Sequence, residues 1–449
     1  MSIFKAYDIR GLVDVEITSE FCFATGVALA RFLKGEREPG TVLLGEDMRP
    51  SSSIFASAFS AGITSQGLDV IRIGLASTDM LYFASGKLNM PGAMFTASHN
   101  PAEYNGIKLC LSGARPIGRE SGLLLIERFV DEGSPLGLGA VGVERTQNLL
   151  DEYVNHLLTL VDLTQMRRLK VVIDAGNGMA GFTAPAVFQH LNVEVIQMYF
   201  ELDGTFPNHE ANPIDPKNLK DLSRAVKKHE ADIGLAFDGD ADRCFLVDEK
   251  GELVNPSALT ALIADRELAK NPGASIIYNL ISSRCVKEVV EENGGTAIRS
   301  RVGHSYIKKL MAETGAVFGG EHSGHFYFKD FWRADSGMLA ALHALAALSQ
   351  SDEKLSNILQ SYNRYVSSGE INSVVEDAAT VMSAIESHYA SMDGITVDHL
   401  DGLTVESVHW WFNVRASNTE PLLRLNVEAT TESLMHEIRE QALALIGGK

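Results

Sequence analysis

Thr41-Val42-Leu43-Leu44-Gly45, a helical-period stretch from Ser51 to Gln66, and Asp69-Val70-Ile71-Arg72-Ile73-Gly74 follow one another in this chain and decide its fold class. A short apolar run, a stretch of helical length and a second apolar run make the rhythm of a strand, a crossover helix and a parallel strand. The expectation is α/β. A glycine-rich stretch, Gly133-Ser134-Pro135-Leu136-Gly137-Leu138-Gly139, breaks the rhythm and reads as a first linker. It restarts at Leu169-Lys170-Val171-Val172-Ile173-Asp174-Ala175, a buried-strand run entering a glycine-rich turn and then a helix. In this second unit Asp232 to Phe237 is a strand that runs into an acidic loop, and Asp248-Glu249-Lys250-Gly251 is a hairpin turn.

A third unit follows with a helix from Pro256 to Lys270, a strand from Ser275 to Tyr278, a helix from Arg284 to Glu292 and a strand from Thr296 to Ser300. After about Tyr365 the character changes to a helix near Val381 to Tyr389, short strands at Leu403 to Val408 and Leu422 to Glu428, and a last helix from Glu432. This reads as a smaller α+β domain. No fixed-period repeat and no low-complexity tract stands out.

Composition limits what such a chain can do. At roughly 150 residues per domain, its 449 residues make about three cores, and clefts between domains become available as sites. With 45% hydrophobic and 22% charged residues and a mean hydropathy near zero, the chain has the make-up of a soluble globular protein. Lys plus Arg is 39 against Asp plus Glu 58, a formal charge of −19, which disfavours nucleic acid and anionic lipid as partners. An anionic substrate would need local basic clusters. The most apolar helical segment, Met338 to Leu348, is too short to span a bilayer and contains His343, so it belongs to a core. The opening Met1 to Asp8 mixes charges early, and secretion is not expected. Cys22, Cys110, Cys244 and Cys285 are scattered without metal-like pairing, as reduced thiols of a cytoplasmic protein would be.

Five clusters carry chemistry. Thr96-Ala97-Ser98-His99-Asn100-Pro101 follows a strand at Gly92 to Phe95, and Pro101 forces a turn that can hold the Ser98 hydroxyl out as a nucleophile, although the same residues make ordinary turns. Lys108 can return to that site or lie exposed on a strand. Phe237-Asp238-Gly239-Asp240-Ala241-Asp242-Arg243 is sharper: in an extended segment the three aspartates share one side, and their mutual repulsion is removed by Mg²⁺ or another hard cation. A calcium EF-hand would place Glu249 at its twelfth position but needs glycine where Arg243 stands. Gly176-Asn177-Gly178-Met179-Ala180-Gly181 matches the dinucleotide G-x-G-x-x-G spacing, yet Glu194 begins the next strand where an acidic residue should end it. Gly319-Gly320-Glu321-His322-Ser323-Gly324-His325 offers the mixed donors and acceptors that sugar hydroxyls want, without the spacing of a helical zinc site. Arg415-Ala416-Ser417-Asn418-Thr419-Glu420-Pro421, followed by Arg424, matches a phosphate's acceptor oxygens. Each of the last two also reads as a plain polar turn.

Taken together and in this order, the five segments resemble the α-D-phosphohexomutase family, particularly bacterial phosphomannomutase/phosphoglucomutase enzymes. The likeness runs from Lys5-Ala6-Tyr7-Asp8-Ile9-Arg10-Gly11 to Arg424. It implies three related α/β domains plus a smaller C-terminal α+β domain around a central cleft. With the divisions above these are 1–145 with a phosphoserine loop, 146–250 with a metal loop, 251–365 with a sugar-recognition loop and 366–449 with a phosphate loop. It further implies that Ser98 carries the phosphoryl group and, with Asp238, Asp240 and Asp242, binds Mg²⁺. Arg10, His99, Lys108 and His325 would stabilise charge and move protons. Tyr7, Arg243 and His304 would contact substrate, Glu321 and Ser323 would read sugar hydroxyls, and Arg415, Ser417, Asn418, Thr419 and Arg424 would hold the phosphate that is not reacting.

The implied activity is interconversion of hexose 1-phosphate and hexose 6-phosphate, with a hexose 1,6-bisphosphate as intermediate and activator and hexose phosphates as the small-molecule partners. The chain departs from relatives in His322, where some carry methionine, in Ala241, where many carry glycine, and in Asn279 to Ser283, which lacks a lysine found in some. The sibling reading is a phosphoglucosamine mutase, whose sugar loop resembles Glu-Gln-Ser-Gly-His. From other classes come an NAD-dependent dehydrogenase, resting on the Gly176 to Gly181 turn, and a calcium- or sugar-binding module, resting on the acidic loop and Glu321.

Overall fold

β1 (Ile9–Leu12), β2 (Thr41–Glu46), β3 (Asp69–Leu75), β4 (Gly92–Phe95), β5 (Tyr104–Leu111), β6 (Arg115–Pro116) and β7 (Glu144–Thr146) form one sheet in the order β1-β5-β4-β2-β3-β7, with β6 beside β5. The structure, a computed structural model, describes residues 2–133, 139–416 and 422–447, apart from the side chains of His304 and Ser305. Both faces of the central strands are covered, which explains why they read as continuous apolar runs. Val42, Leu44 and Val70 pack with the helices Ser19–Glu36 and Ser52–Ser65, while Leu43 and Ile71 pack with the helix Thr78–Leu88. Five of the seven residues of the expected linker, 134 to 138, lie outside the described residues.

The wiring repeats. In the first sheet β2 lies between β3 and β4, parallel to both, and β5 returns antiparallel beside β4. β8 (Leu169–Asp174), β9 (Val193–Met198), β10 (Ile233–Phe237) and β11 (Cys244–Asp248) do the same in the order β11-β10-β8-β9. β12 (Ser275–Asn279), β13 (Thr296–Ser300), β14 (Phe318–Gly320), β15 (Phe326–Phe328) and β16 (Ala334–Asp335) do it a third time in the order β13-β12-β14-β15-β16. The Ser98, acidic and Glu321 loops are therefore equivalent connections: each joins a parallel strand, β4, β10 or β14, to the antiparallel strand that follows it, β5, β11 or β15. The apolar helix Gly337–Ser349 is buried almost all round in the core, with His343 stacked on Phe328. Among the described residues no helix is long and apolar enough to cross a membrane.

β17 (Val366–Val374), β18 (Thr396–Asp398), β19 (Leu403–Glu406), β20 (Trp410–Ala416) and β21 (Leu422–Ala429) form an antiparallel sheet in the order β17-β21-β20-β19-β18. The helices Ala378–Tyr389 and Glu432–Ile446 close a separate core over it around Tyr389, Phe412 and Leu425. The first three units instead share one continuous core that includes Leu43, Tyr153, Ile173 and Leu342. β17 was not expected, because its Ser367-Ser368-Gly369-Glu370 segment is polar and contains a β-bulge between Ser367 and Glu370.

The acidic loop corrects the expectation of an extended segment. It is a tight turn in which the Ala241 N–H donates to the Asp238 carbonyl at 3.0 Å and Ala241 adopts φ +60°. The three aspartates converge because the chain curls around them, not because side chains alternate along a strand. Left-handed backbone favours glycine, so Ala241 holds this turn at some conformational cost.

Candidate active site

The Ser98 loop is held by one guanidinium. Arg49 donates to the carbonyls of Ser98 (2.9 Å), Asn100 (2.6 Å), Pro101 (2.8 Å) and Tyr104 (2.9 Å). It is itself buried against Asp47 at 3.3 Å. Burial pushes the Asp47 carboxyl up and the Arg49 guanidinium down from their ordinary values, and each is the other's main opposing charge. So anchored, Ser98 takes φ +50°, a conformation that costs a non-glycine residue about 1–3 kcal/mol. Its N–H donates to Thr96 Oγ1 at 2.9 Å, and its hydroxyl donates to Asp238 Oδ2 at 2.8 Å, with His99 Nδ1 at 3.2 Å. Serine and histidine, neighbours in sequence, thus also touch in space. Burial, with Arg243 and Arg10 nearby, keeps the His99 imidazole well below its usual range and hence neutral.

The carboxylates of Asp238, Asp240 and Asp242 offer oxygens within 4.8 Å of one another, and all three residues are buried. Asp240 Oδ2 accepts from Thr78 Oγ1 at 2.5 Å and from Lys108 Nζ at 2.6 Å, and the same ammonium reaches Asp242 Oδ2 at 2.6 Å. The other oxygens, Asp240 Oδ1 and Asp242 Oδ1, are buried with no hydrogen-bond partner among the described residues. An orphaned pair of hard oxygen donors beside Asp238 and the Ser98 hydroxyl fits a hard divalent cation. Burial and the neighbouring carboxylates push the Asp238 carboxyl up against the pull of Arg243. Burial also opposes ionisation of Asp240, yet Lys108 and Thr78 hold its carboxyl well below the usual range.

Above this cluster lies a cavity of about 280 Å³ whose walls include Tyr7, Arg10, Ser98, Lys108, Arg243 and His325. Arg243 crosses its floor, donating to Asp238 Oδ2 at 2.8 Å, and Arg10 donates to Asn100 Oδ1 at 2.7 Å. From the third unit His325 arrives with Nε2 3.6 Å from Asp242 Oδ1 and Nδ1 3.0 Å from Ser323 Oγ. Glu321 is buried: it accepts from the Tyr327 hydroxyl at 2.7 Å and the Gly303 N–H at 3.1 Å. His322 is kept down at about 3 by burial and by the charges of Arg415, His325 and Arg424, and it lines one cavity with Glu370, the partner of both arginines. Arg415 and Arg424 sit opposite each other on β20 and β21. His304 opens the helix His304–Thr314 but its side chain lies outside the described residues, as do Ser417, Asn418 and Thr419.

Two competing readings of the sequence do not survive this geometry. The Gly176 to Gly181 turn is packed under the acidic loop, where the Met179 N–H donates to the Gly239 carbonyl at 2.8 Å and a β-carbon on Gly178 would lie 2.7 Å from that oxygen. A pyrophosphate has no room there, and Glu194 pairs outward with Arg168 at 3.1 Å. Glu249 is not part of the aspartate cluster and holds Ser356 at 2.6 Å, so the EF-hand is not formed. Sequence reasoning missed Asp47, Arg49 and Thr78. It also missed Asp79, whose buried carboxylate accepts from Tyr153 (2.8 Å) and Ser336 (2.6 Å) and so ties three units together. A charged pair directly after the buried strand β2 was the one available signal for the first two.

Comparison with known proteins agrees along the whole chain. Models of phosphoglucomutase/phosphomannomutase match as alpha/beta/alpha domain I over residues 1–135, domain II over 151–251, domain III over 255–365 and the C-terminal domain over 370–445. A relative described as phosphohexose mutases, from Xanthomonas campestris pv. campestris, is 39% identical over 443 residues, 98% of each chain. The phosphomannomutase of Escherichia coli K12 is 39% identical over 452 residues, 99% of this chain and 98% of that one. The crystal structure of a phosphoglucomutase/phosphomannomutase family protein from Burkholderia thailandensis superposes with a TM-score of 0.90 at 33% identity, covering 99% of this chain and 97% of that one.

Proposed function

This chain belongs to the phosphoglucomutase/phosphomannomutase family and is a phosphohexomutase, an isomerase that moves phosphate within a sugar, and from that premise we propose that it interconverts the 1- and 6-phosphates of mannose and glucose through phospho-Ser98. The observation that carries this reading is the buried Ser98 hydroxyl, 2.8 Å from Asp238 and open to a cavity walled by Arg10, Lys108, Arg243 and His325. In the first half-reaction the P–O bond to Ser98 breaks as a P–O bond forms to the free sugar hydroxyl, giving a hexose 1,6-bisphosphate. The hydroxyl proton passes to a base on the cavity wall, for which His325 is the candidate; Lys108, which burial would neutralise but Asp240 and Asp242 hold as an ammonium, stabilises charge instead. The bisphosphate turns over, and its other phosphate returns to Ser98. Mg²⁺ held by Asp238, Asp240, Asp242 and Ser98 would neutralise charge on the transferring group. Arg10 and Arg243 supply cationic hydrogen-bond donors at the reacting end, and Arg415 and Arg424, with Ser417, Asn418 and Thr419, bind the distal phosphate.

The reorientation favours hydroxyls near the exchange axis, O3 and O4, which Glu321 and Ser323 are suited to read. Glu321 Oε2, which accepts from the Tyr327 hydroxyl, keeps a lone pair for such a contact, whereas Oε1 already accepts from the Gly303 N–H and from Asn279 Nδ2 at 3.5 Å. Mannose and glucose differ at C2, so a reader fixed on O3 and O4 discriminates weakly between them. We place the enzyme in the cytoplasm, a reading supported by four cysteines that are all buried and unpaired.

One experiment tests the whole reading. Steady-state rates on mannose, glucose and glucosamine 1-phosphates are measured alongside intact mass and peptide mapping of Ser98 and of Ser98→Ala. Mannose and glucose phosphates are expected within about two orders of magnitude of each other in kcat/KM, a range scaled to one hydroxyl contact. A phosphoryl group should map to Ser98, and turnover should vanish in the alanine variant. Normal turnover in Ser98→Ala would sink the mechanism, whereas preference for glucosamine phosphate would select the sibling activity and leave the mechanism standing.

A further inference from the structure

Arg415 and Arg424 face each other directly across β20 and β21, a placement in which like charges repel. The repulsion is offset by Glu370, whose Oε2 lies 2.9 Å from Arg415 Nη2 and whose Oε1 lies 3.5 Å from Arg424 Nη1. Glu370 comes from β17, immediately after the register shift that begins at Ser367, with Gly369 at φ +68°. A bulge re-aims the side chains around it, and here it puts a carboxylate against two guanidiniums. The pairing is not sealed off, since the Arg415, Glu370 and Arg424 side chains are 11%, 27% and 34% exposed. Glu370 also lines a cavity of about 280 Å³ together with His322 of the sugar loop.

We propose that Glu370 is a resident counter-ion that the distal phosphate of the substrate displaces from Arg415 and Arg424. This rests on the phosphate-binding reading of those arginines given above. In a chain of net charge −19, two adjacent arginines are a scarce anion site, and an internal carboxylate on both of them lowers their affinity for phosphate. A bisphosphate that must leave this site and return reversed needs that restraint. While the intermediate turns, Glu370 re-pairs with the guanidiniums, so that release of one phosphate does not leave two uncompensated cations.

The sign of the effect separates this from a bracing role. In a Ser98→Ala background, which removes turnover, glucose 6-phosphate is titrated calorimetrically into the chain with and without Glu370→Gln, after melting curves confirm folding. The expected result is a dissociation constant lower by roughly two- to fivefold, the worth of a partly exposed ion pair. If the glutamine variant does not fold, Glu370→Asp, which retracts the charge by one methylene, should tighten binding in the same direction. Unchanged or weaker binding in the folded variant overturns the inference alone, provided that Arg415→Ala weakens binding. If Arg415→Ala binds glucose 6-phosphate normally, the phosphate reading falls and takes this inference with it.

Discussion

Arg49 concentrates more of the site's geometry than any group that faces substrate. Its one guanidinium donates to four carbonyls between Ser98 and Tyr104 and at the same time makes a buried ion pair with Asp47. Because Ser98 is held at positive φ, the loop needs an external anchor to stay where its hydroxyl meets Asp238. Arg49→Ala should therefore cost about 3–5 kcal/mol, the penalty for leaving a buried charge without its partner, and should also abolish phosphorylation of Ser98. Arg49→Lys keeps a charge opposite Asp47 but cannot reproduce the planar fork, so it should recover more stability than phosphoenzyme. Chemical denaturation and intact mass of both variants check this; equal recovery of the two properties by lysine would show that charge alone anchors the loop.

At the scale of elements, the glycine turn before the helix Ala180–Phe188 shows how a motif can be read correctly for shape and wrongly for ligand. Gly178 is required because the Gly239 carbonyl and Cα would lie 2.7 Å and 2.9 Å from a β-carbon there. Gly178→Ala should push the acidic loop away, weakening Mg²⁺ binding several-fold while leaving no nicotinamide binding to lose. A Mg²⁺ titration followed by activity and by calorimetry checks it, and unchanged metal affinity would mean that the loop is held by Thr78 and Lys108 alone. Strands such as β2, β8 and β10 were legible because burial on both faces leaves unbroken apolar runs. β17 was not, since a bulged polar edge carries little periodic signal. The aspartates were legible as a set, but the turn that joins them was not, because Ala241 at positive φ hides the residue that normally marks such a turn. Thr78 could not be read at all, since its partner lies 162 residues away and nothing local marks it; Arg49 was marked only by its charged neighbour Asp47, because the loop carbonyls that it holds lie 49 to 55 residues away.

For the whole molecule, the site exists only where units meet. Ser98, Lys108 and Thr78 belong to the first unit and the three aspartates to the second, so a cation bound there would cross-link two units that already share a core. The C-terminal unit has a core of its own around Phe412 and Leu425. Ligand binding to the folded state stabilises it by about 2.7 kcal/mol at a hundredfold excess over Kd, and in a multidomain chain this acts only on the cooperative unit that binds. Scanning calorimetry should then show a transition of the first three units that rises by a few degrees with Mg²⁺ and falls with chelator, together with loss of activity on chelation. A transition of the C-terminal unit should stay where it is. Asp240→Asn, which removes one charge of the aspartate cluster, should abolish the Mg²⁺ shift without moving the C-terminal transition. Should both transitions rise together with Mg²⁺, the four units melt as one and the separate core of the last is not an independent folding unit. If neither moves although turnover still requires Mg²⁺, the cation arrives with the sugar phosphate, and the orphaned oxygens of Asp240 and Asp242 do not hold it beforehand.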